Sequence, residues 1–281
     1  MNEDNLQWVI SQEALSNPLH LMNSTVKGGL NFINEKIDIT IKNIDLSFNN
    51  KIEPLNSRKY NIYQRELAKR SYIDISPLHI PVDPGFIGPY KSYIEILSNS
   101  AALINNIEMN VLIPVEKKLL QMLGNPAQMT SITINILSDV KFEDELVAYT
   151  KKNIAKYYDT KTNASTQPYS RLVASNSDLL NVMNAMGKLQ QRKYNQLDNI
   201  VAKSRDIASI ANKLISEINE KPQQYMVNNF IAEQLYKLLS KTADEVEFCA
   251  ALVHHINAAE QGVVNMLEHL NRIIIKGVSD E

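Results

Sequence analysis

The sequence predicts an all-α fold: an elongated antiparallel helical bundle ending in a long C-terminal helical hairpin, with room for a minor β-hairpin. Three observations lead there. Only 8 of the 281 residues are glycine, against roughly 7% in an average protein. Glycine supplies the positive-φ turns of sheets and the phosphate-cradling loops of nucleotide folds, so its scarcity argues against both. Hydrophobic residues make up 44% of the chain, enough for a buried core. Over two long C-terminal stretches these residues recur in steps of three and four, the spacing of one helix face.

The elements follow in chain order. Residues 1–17 read as a short amphipathic lead-in, and Asn17-Pro18 as a turn or helix start. Leu30, Ile33, Ile37, Ile41, Ile44, Phe48 and Ile52 place a helix over 19–52. Ile37, Ile39 and Ile41 also alternate with polar residues, as do Ile44, Leu46 and Phe48. A hairpin over 36–49, turning at Lys42-Asn43, is therefore the rival reading. The helix is preferred because its face extends beyond both ends of the alternating piece. Pro54 ends it, and Tyr60, Tyr63, Leu67 and Ala68 mark a shorter helix over 57–72. Pro77, Pro81, Pro84 and Pro89 then forbid helix, making 73–89 an extended connector. It carries Ile80, Val82, Phe86 and Ile87, and reads either as a strap packed across the bundle or as a contact for a partner.

Helix resumes over 90–123 on a face from Tyr90 to Met122, with a kink or break expected near 110–114 because of Pro114. Gly124-Asn125-Pro126 stops it. Residues 131–137 alternate through Ile132, Ile134 and Ile136 and suit a short strand or the start of the next helix. That helix covers 139–160 with Asp139 as candidate cap. Residues 160–170 are polar and read as an exposed loop, dividing an N-terminal region (1–163) from a helical hairpin (164–281) within what is expected to be one elongated unit.

The hairpin carries the strongest pattern. Asn176 or Ser177 caps a helix to about residue 219 with a face through Leu197, Val201, Ser204, Ala208, Ala211, Ile215 and Ile218. Pro222 breaks it. A second helix, 224–276, carries Ile231, Leu235, Leu238, Thr242, Glu245, Cys249, Leu252, Ile256, Ala259, Val263, Met266, Leu270 and Ile273 in alternating steps of four and three, and ends at Gly277. That is a sustained heptad seam. Val246, Val253, Leu267 and Ile274 widen it toward a multi-helix bundle. At ~1.5 Å per residue, each helix is on the order of 65–75 Å long.

Few function classes gain support. The 29 Lys+Arg balance 31 Asp+Glu, and the densest basic stretch, Arg58 to Arg70, is diluted by Glu66, so nucleic acid is not an expected partner. No apolar run is long enough for a transmembrane helix, and Met1–Gln12 lacks the pattern of a secretory leader. The single Cys249 excludes an internal disulfide and fits a reducing cytoplasm. His20, His79, His254, His255 and His269 form neither HExxH nor ExxH patterns. His255 and His269 are about 21 Å apart along a helix, too far to share a metal. Glu143, Asp144 and Glu145 suit a helix N-terminus. Phosphate-binding and nucleophile-elbow motifs are absent. Tyr157 and Tyr158 are candidate interface anchors. No catalytic, metal or cofactor residue is therefore assigned.

The neutral, glycine-poor, Asn-, Ile- and Lys-rich composition resembles in style the virion structural proteins of large tailed bacteriophages. That resemblance implies a non-enzymatic structural or assembly protein, made in the cytoplasm and carried into a virion. Its partners would be other virion proteins or further copies of itself, with Ile80, Val82, Phe86 and Ile87 as the contact. An intracellular helical adaptor or regulator, or a membrane-active helical protein, are the alternatives.

Overall fold

The computed structural model describes residues 78–159, 161, 164–225 and 229–279, together with Ile39, Lys42, Asn61 and Arg65. The helices expected over 19–52 and 57–72, and the hairpin alternative at 36–49, lie outside the described residues apart from those four. The described chain is all-α with one two-stranded sheet. Its order is β1 (His79–Pro81), α1 (Tyr90–Ile107), a π-helical turn (Glu108–Leu112), α2 (Ile113–Gly124), a 3-10 turn (Pro126–Gln128), α3 (Met129–Ile134), α4 (Asp144–Ala155), β2 (Thr166–Pro168), α5 (Tyr169–Leu172), α6 (Asn176–Glu220), α7 (Pro222–Tyr225) and α8 (Asn229–Ser279).

Contacts divide the chain into two compact units. The described residues of unit one are 108–142 and 202–246; those of unit two are 78–107, 143–201 and 247–279.

In unit one, the break expected near Pro114 is a π-helical turn at Glu108–Leu112, with Pro114 in the first turn of α2. A proline cannot donate to the carbonyl four residues back, and widening the preceding turn accommodates that loss. Residues 131–137 resolve into the end of α3 and a turn, not a strand. Asp139 caps no helix: it pairs with Lys118, and the next helix starts only at Asp144. The faces predicted from Ser204 to Ile218 and from Ile231 to Glu245 are buried. Among the polar members, Thr242 donates its hydroxyl to the Leu238 carbonyl (2.7 Å), so its burial costs no hydrogen bond. Lys203 reaches Glu116 at 2.7 Å and ties α6 to α2.

In unit two, every seam position of α8 from Cys249 to Leu270 is buried, as are Val253 and Leu267 beside it. The helix continues through Gly277 to Ser279, past its expected end. The N-cap of α6 is Ser175, one residue earlier than expected. Its hydroxyl accepts from the Asp178 amide (3.1 Å) and donates to the Asp178 carboxylate (3.2 Å).

The stretch expected to be an exposed loop at 160–170 instead supplies β2. His79 pairs with Pro168, Ile80 with Gln167 and Pro81 with Thr166, antiparallel. The Val82 and Gly85 amides continue the pairing to the carbonyls of Ser165 and Ala164, and the Ile87 amide to that of Tyr157, each at 2.9 Å. Phe86 bridges Tyr158. The proline-rich strap is thus half of a β-ribbon. Gly85 (φ +80°) and Gly88 (φ +75°) turn it through backbone angles that side chains disfavour, and a Cβ at Gly88 would sit 2.7 Å from the Arg171 carbonyl oxygen.

Candidate functional site: an aromatic–histidine cluster

The polar residues that unit two brings together were not grouped by the sequence pattern. Four segments supply them: the strap (Asp83, Phe86), α1 (Tyr90, Tyr93), the end of α4 (Tyr157, Tyr158) and α8 (His255). Phe86 is the hub. It stacks on Tyr90 (centroids 4.6 Å apart) and meets Tyr93 at 5.0 Å and Tyr158 edge-on at 5.7 Å. Offset and edge-on geometries are those the ring quadrupoles favour. Tyr90 and Tyr93 lie three residues apart on one face of α1, so a single helix turn offers both.

At the polar end, three atoms form a triangle. The Tyr93 and Tyr158 hydroxyls are 3.0 Å apart; His255 Nδ1 is 3.1 Å from the first and 3.2 Å from the second. The Asp83 carboxylate on the strap acts electrostatically on Tyr158. Burial is the first cause raising the pKa values of Tyr90, Tyr93 and Tyr158, and the neighbouring Tyr158–Tyr93 pair and Asp83 add to it for Tyr158. These phenols therefore stay protonated in the physiological range and act as neutral hydrogen-bonding groups. Burial, then the adjacent His254, lowers the His255 pKa, with Asp83 opposing. The imidazole is accordingly neutral near pH 7.

Two further contacts of α8 complete the arrangement. Asn265 Nδ2 donates to the Pro81 carbonyl at 3.0 Å. Between the two, Gly262 leaves room for the Tyr90 hydroxyl: a Cβ there would lie 2.5 Å from Tyr90 Cζ and closer still to its oxygen. Along one helix face, His255, Gly262 and Asn265 thus each address the strap or the ring packed on it.

Of the four side chains expected at a partner contact, Ile80, Val82 and Phe86 are buried within unit two and Ile87 is half-buried. With the strap seated, the three buried side chains are occupied within the chain, Phe86 against Tyr90 and Tyr93 of α1. Tyr157 and Tyr158, read as interface anchors, likewise pack against Tyr93. His254 is exposed and His79 is exposed; His269 Nδ1 lies 2.9 Å from the Asn265 carbonyl of its own helix, and Cys249 is buried. Asp144 and Glu145 occupy the first turn of α4. Among the described residues, no group of three or more His, Cys, Asp or Glu is placed to hold a metal.

Open apolar surface lies elsewhere. In unit one, one side of α2 lines a shallow groove of about 470 Å³ with Ile113, Glu116, Lys117, Leu120 and Gln121, together with Asn125 just beyond it. Leu120 is 48% exposed there, and Met109, Ile134 and Phe230 are also exposed. In unit two, Leu146 and Tyr149 stand exposed three residues apart on α4. Comparison of the chain with protein-family models, with curated proteins and with solved structures found no match.

Proposed function

We propose that the protein is a non-enzymatic structural or assembly component that works through helical contacts with other protein subunits. The observation that carries this reading is the distribution of apolar surface. The α6 and α8 faces are buried, yet the shorter helices α2 and α4 present Leu120, Leu146 and Tyr149 to solvent. Tyrosine is enriched among interface anchors, and here Tyr149 stands exposed beside Leu146 on α4. The aromatic–histidine cluster supports the same reading. Its hydroxyls are held neutral by burial and its imidazole is spent on them, which suits a clamp better than a base or nucleophile. The compositional resemblance to phage virion proteins points to a particle as the setting, with other virion proteins or further copies as partners. No described helix is long and apolar enough to cross a membrane, which weighs against the membrane-active alternative in its spanning form.

Co-sedimentation of the intact protein with its native particle or complex tests the proposal. Leu120→Asp and Tyr149→Asp should each reduce incorporation while the melting curve stays within about 0.5 kcal/mol of the parent, as for other surface substitutions. Full incorporation of both variants would remove these faces from the account. Turnover of a small molecule abolished by one point change would overturn the non-enzymatic reading.

A further inference from the structure

We propose that the Tyr93–Tyr158–His255 cluster is a proton-sensitive latch that holds the strap in its ribbon with residues 157–168 near neutral pH and loosens it on acidification. One titratable group sits among the rings against which the strap's Phe86 packs. His255 Nδ1 meets both hydroxyls, Tyr158 bridges Phe86 of the strap through the backbone, and the Phe86 ring packs against those of Tyr93 and Tyr158. With its proton on Nε2, the neutral ring offers Nδ1 as an acceptor. Protonation converts that atom to a donor and sets a cation among rings that are buried (Tyr93) or half-buried (Tyr158). The groups facing it are Tyr93 from α1, Tyr158 from the end of α4, Asp83 from the strap and His254 from α8 itself. Only Asp83 favours the charge; burial and His254 oppose it, and they prevail.

The direction follows from linkage. The folded-state pKa of His255 lies below the ordinary 6.5, so the folded form binds fewer protons than the unfolded one. Its contribution is complete above about pH 6.5 and is lost as the pH falls toward the folded value. The strap is the element placed to respond, because its Phe86 packs on both tyrosine rings that hold the half-buried imidazole. Release also uncovers Ile80, Val82 and Phe86. That this exposure serves a partner rests on the assembly reading; the latch itself does not.

Amide hydrogen exchange on the intact protein at about pH 7.5 and about pH 5, corrected for intrinsic rates, tests the latch across the range in which histidine titrates. The reporters are the Val82, Gly85 and Ile87 amides, which bond Ser165, Ala164 and Tyr157. In the parent protein their protection should fall at the lower pH, by up to about tenfold per pH unit below the unfolded-state value. Amides of α8 should keep theirs. In His255→Gln the strap should lose its pH response, and in His254→Gln, which removes one of the causes lowering the His255 pKa, it should keep one shifted to higher pH. If His255→Gln fails to fold, Tyr158→Phe replaces it, and its strap should be loose at both pH values. An unchanged pH response in His255→Gln, no response in the parent, or equal loss of protection along α8 would each overturn the latch. Co-sedimentation at the two pH values tests the assembly reading separately: a strap that opens without altering incorporation leaves the latch standing and removes the strap as a contact.

Discussion

Gly262→Ala should destabilise the protein although it replaces the poorer helix former with the best one. In an open helix interior, Gly→Ala gains about 0.8–1.0 kcal/mol. At Gly262 the new methyl would overlap the Tyr90 hydroxyl and lie 2.5 Å from Cζ and 3.3 Å from Cε1. Tyr90 has little room to withdraw, being 1% exposed and stacked on Phe86 at 4.6 Å. Overpacking of this kind costs typically 1–3 kcal/mol. After subtracting the helix-propensity gain, a net loss of about 0–2 kcal/mol remains, weighted to the upper end because backbone on one side and a stacked ring on the other both resist. Gly187 is the internal control. It lies within α6, also in unit two, and a Cβ there meets nothing within 4 Å. Gly187→Ala should therefore stabilise by up to about 1 kcal/mol. Thermal melts followed by circular dichroism should separate the two variants by about 2–4 °C per kcal/mol of difference. Tyr90→Phe in the Gly262→Ala background should recover part of the loss, since it removes the atom closest to the methyl. A Gly262→Ala protein as stable as Gly187→Ala would refute the packing of Tyr90 against α8.

Other substitutions probe the same structure. The Tyr169 hydroxyl is buried with no hydrogen-bond partner among the described residues, so Tyr169→Phe should be neutral or stabilising in a urea melt, whereas Tyr93→Phe, which removes two partners, should cost about 1–2 kcal/mol. Ser175→Ala should cost about 1 kcal/mol through loss of the α6 cap, measured as a shift in urea midpoint. Leu252→Ala should cost about 2–5 kcal/mol because the side chain is fully enclosed, and Leu252→Asp should prevent folding. Lys241→Ala should cost less than about 1 kcal/mol, its ammonium lying 5.0 Å over the Phe142 ring, and comparable melts for it and Leu252→Asp would show that the seam faces solvent.

What the sequence made legible was local. The α8 seam could be read residue by residue because helical spacing keeps buried positions in one short window, and even Thr242 and Glu245 fell where the pattern put them. Pro114 announced a disrupted turn because its missing N–H acts within four residues. The cap of α6 was misplaced by one because Ser175, Asn176 and Ser177 are all competent caps, and only the Asp178 partner distinguishes them. The strand at 166–168 was missed for the opposite reason. Thr-Gln-Pro carries no apolar alternation, and it is a strand only because the strap lies beside it. The aromatic–histidine cluster was equally invisible. Tyr93 and Tyr158 are 65 residues apart, and Tyr93 and His255 are 162 apart. The one available signal was chemical: Tyr157-Tyr158 beside a polar stretch, and a strap holding Phe86 between two glycines.

The most direct test of the assembly account is chemical cross-linking of the intact protein in its native extract, read by mass spectrometry at lysines beside the open faces. Lys117 lines the α2 groove, and Lys152 follows Tyr149 by three residues on α4. The account predicts intermolecular cross-links concentrated at these two positions and lost in Leu120→Asp and Tyr149→Asp, respectively. A protein that yields only intramolecular cross-links in that extract would contradict it.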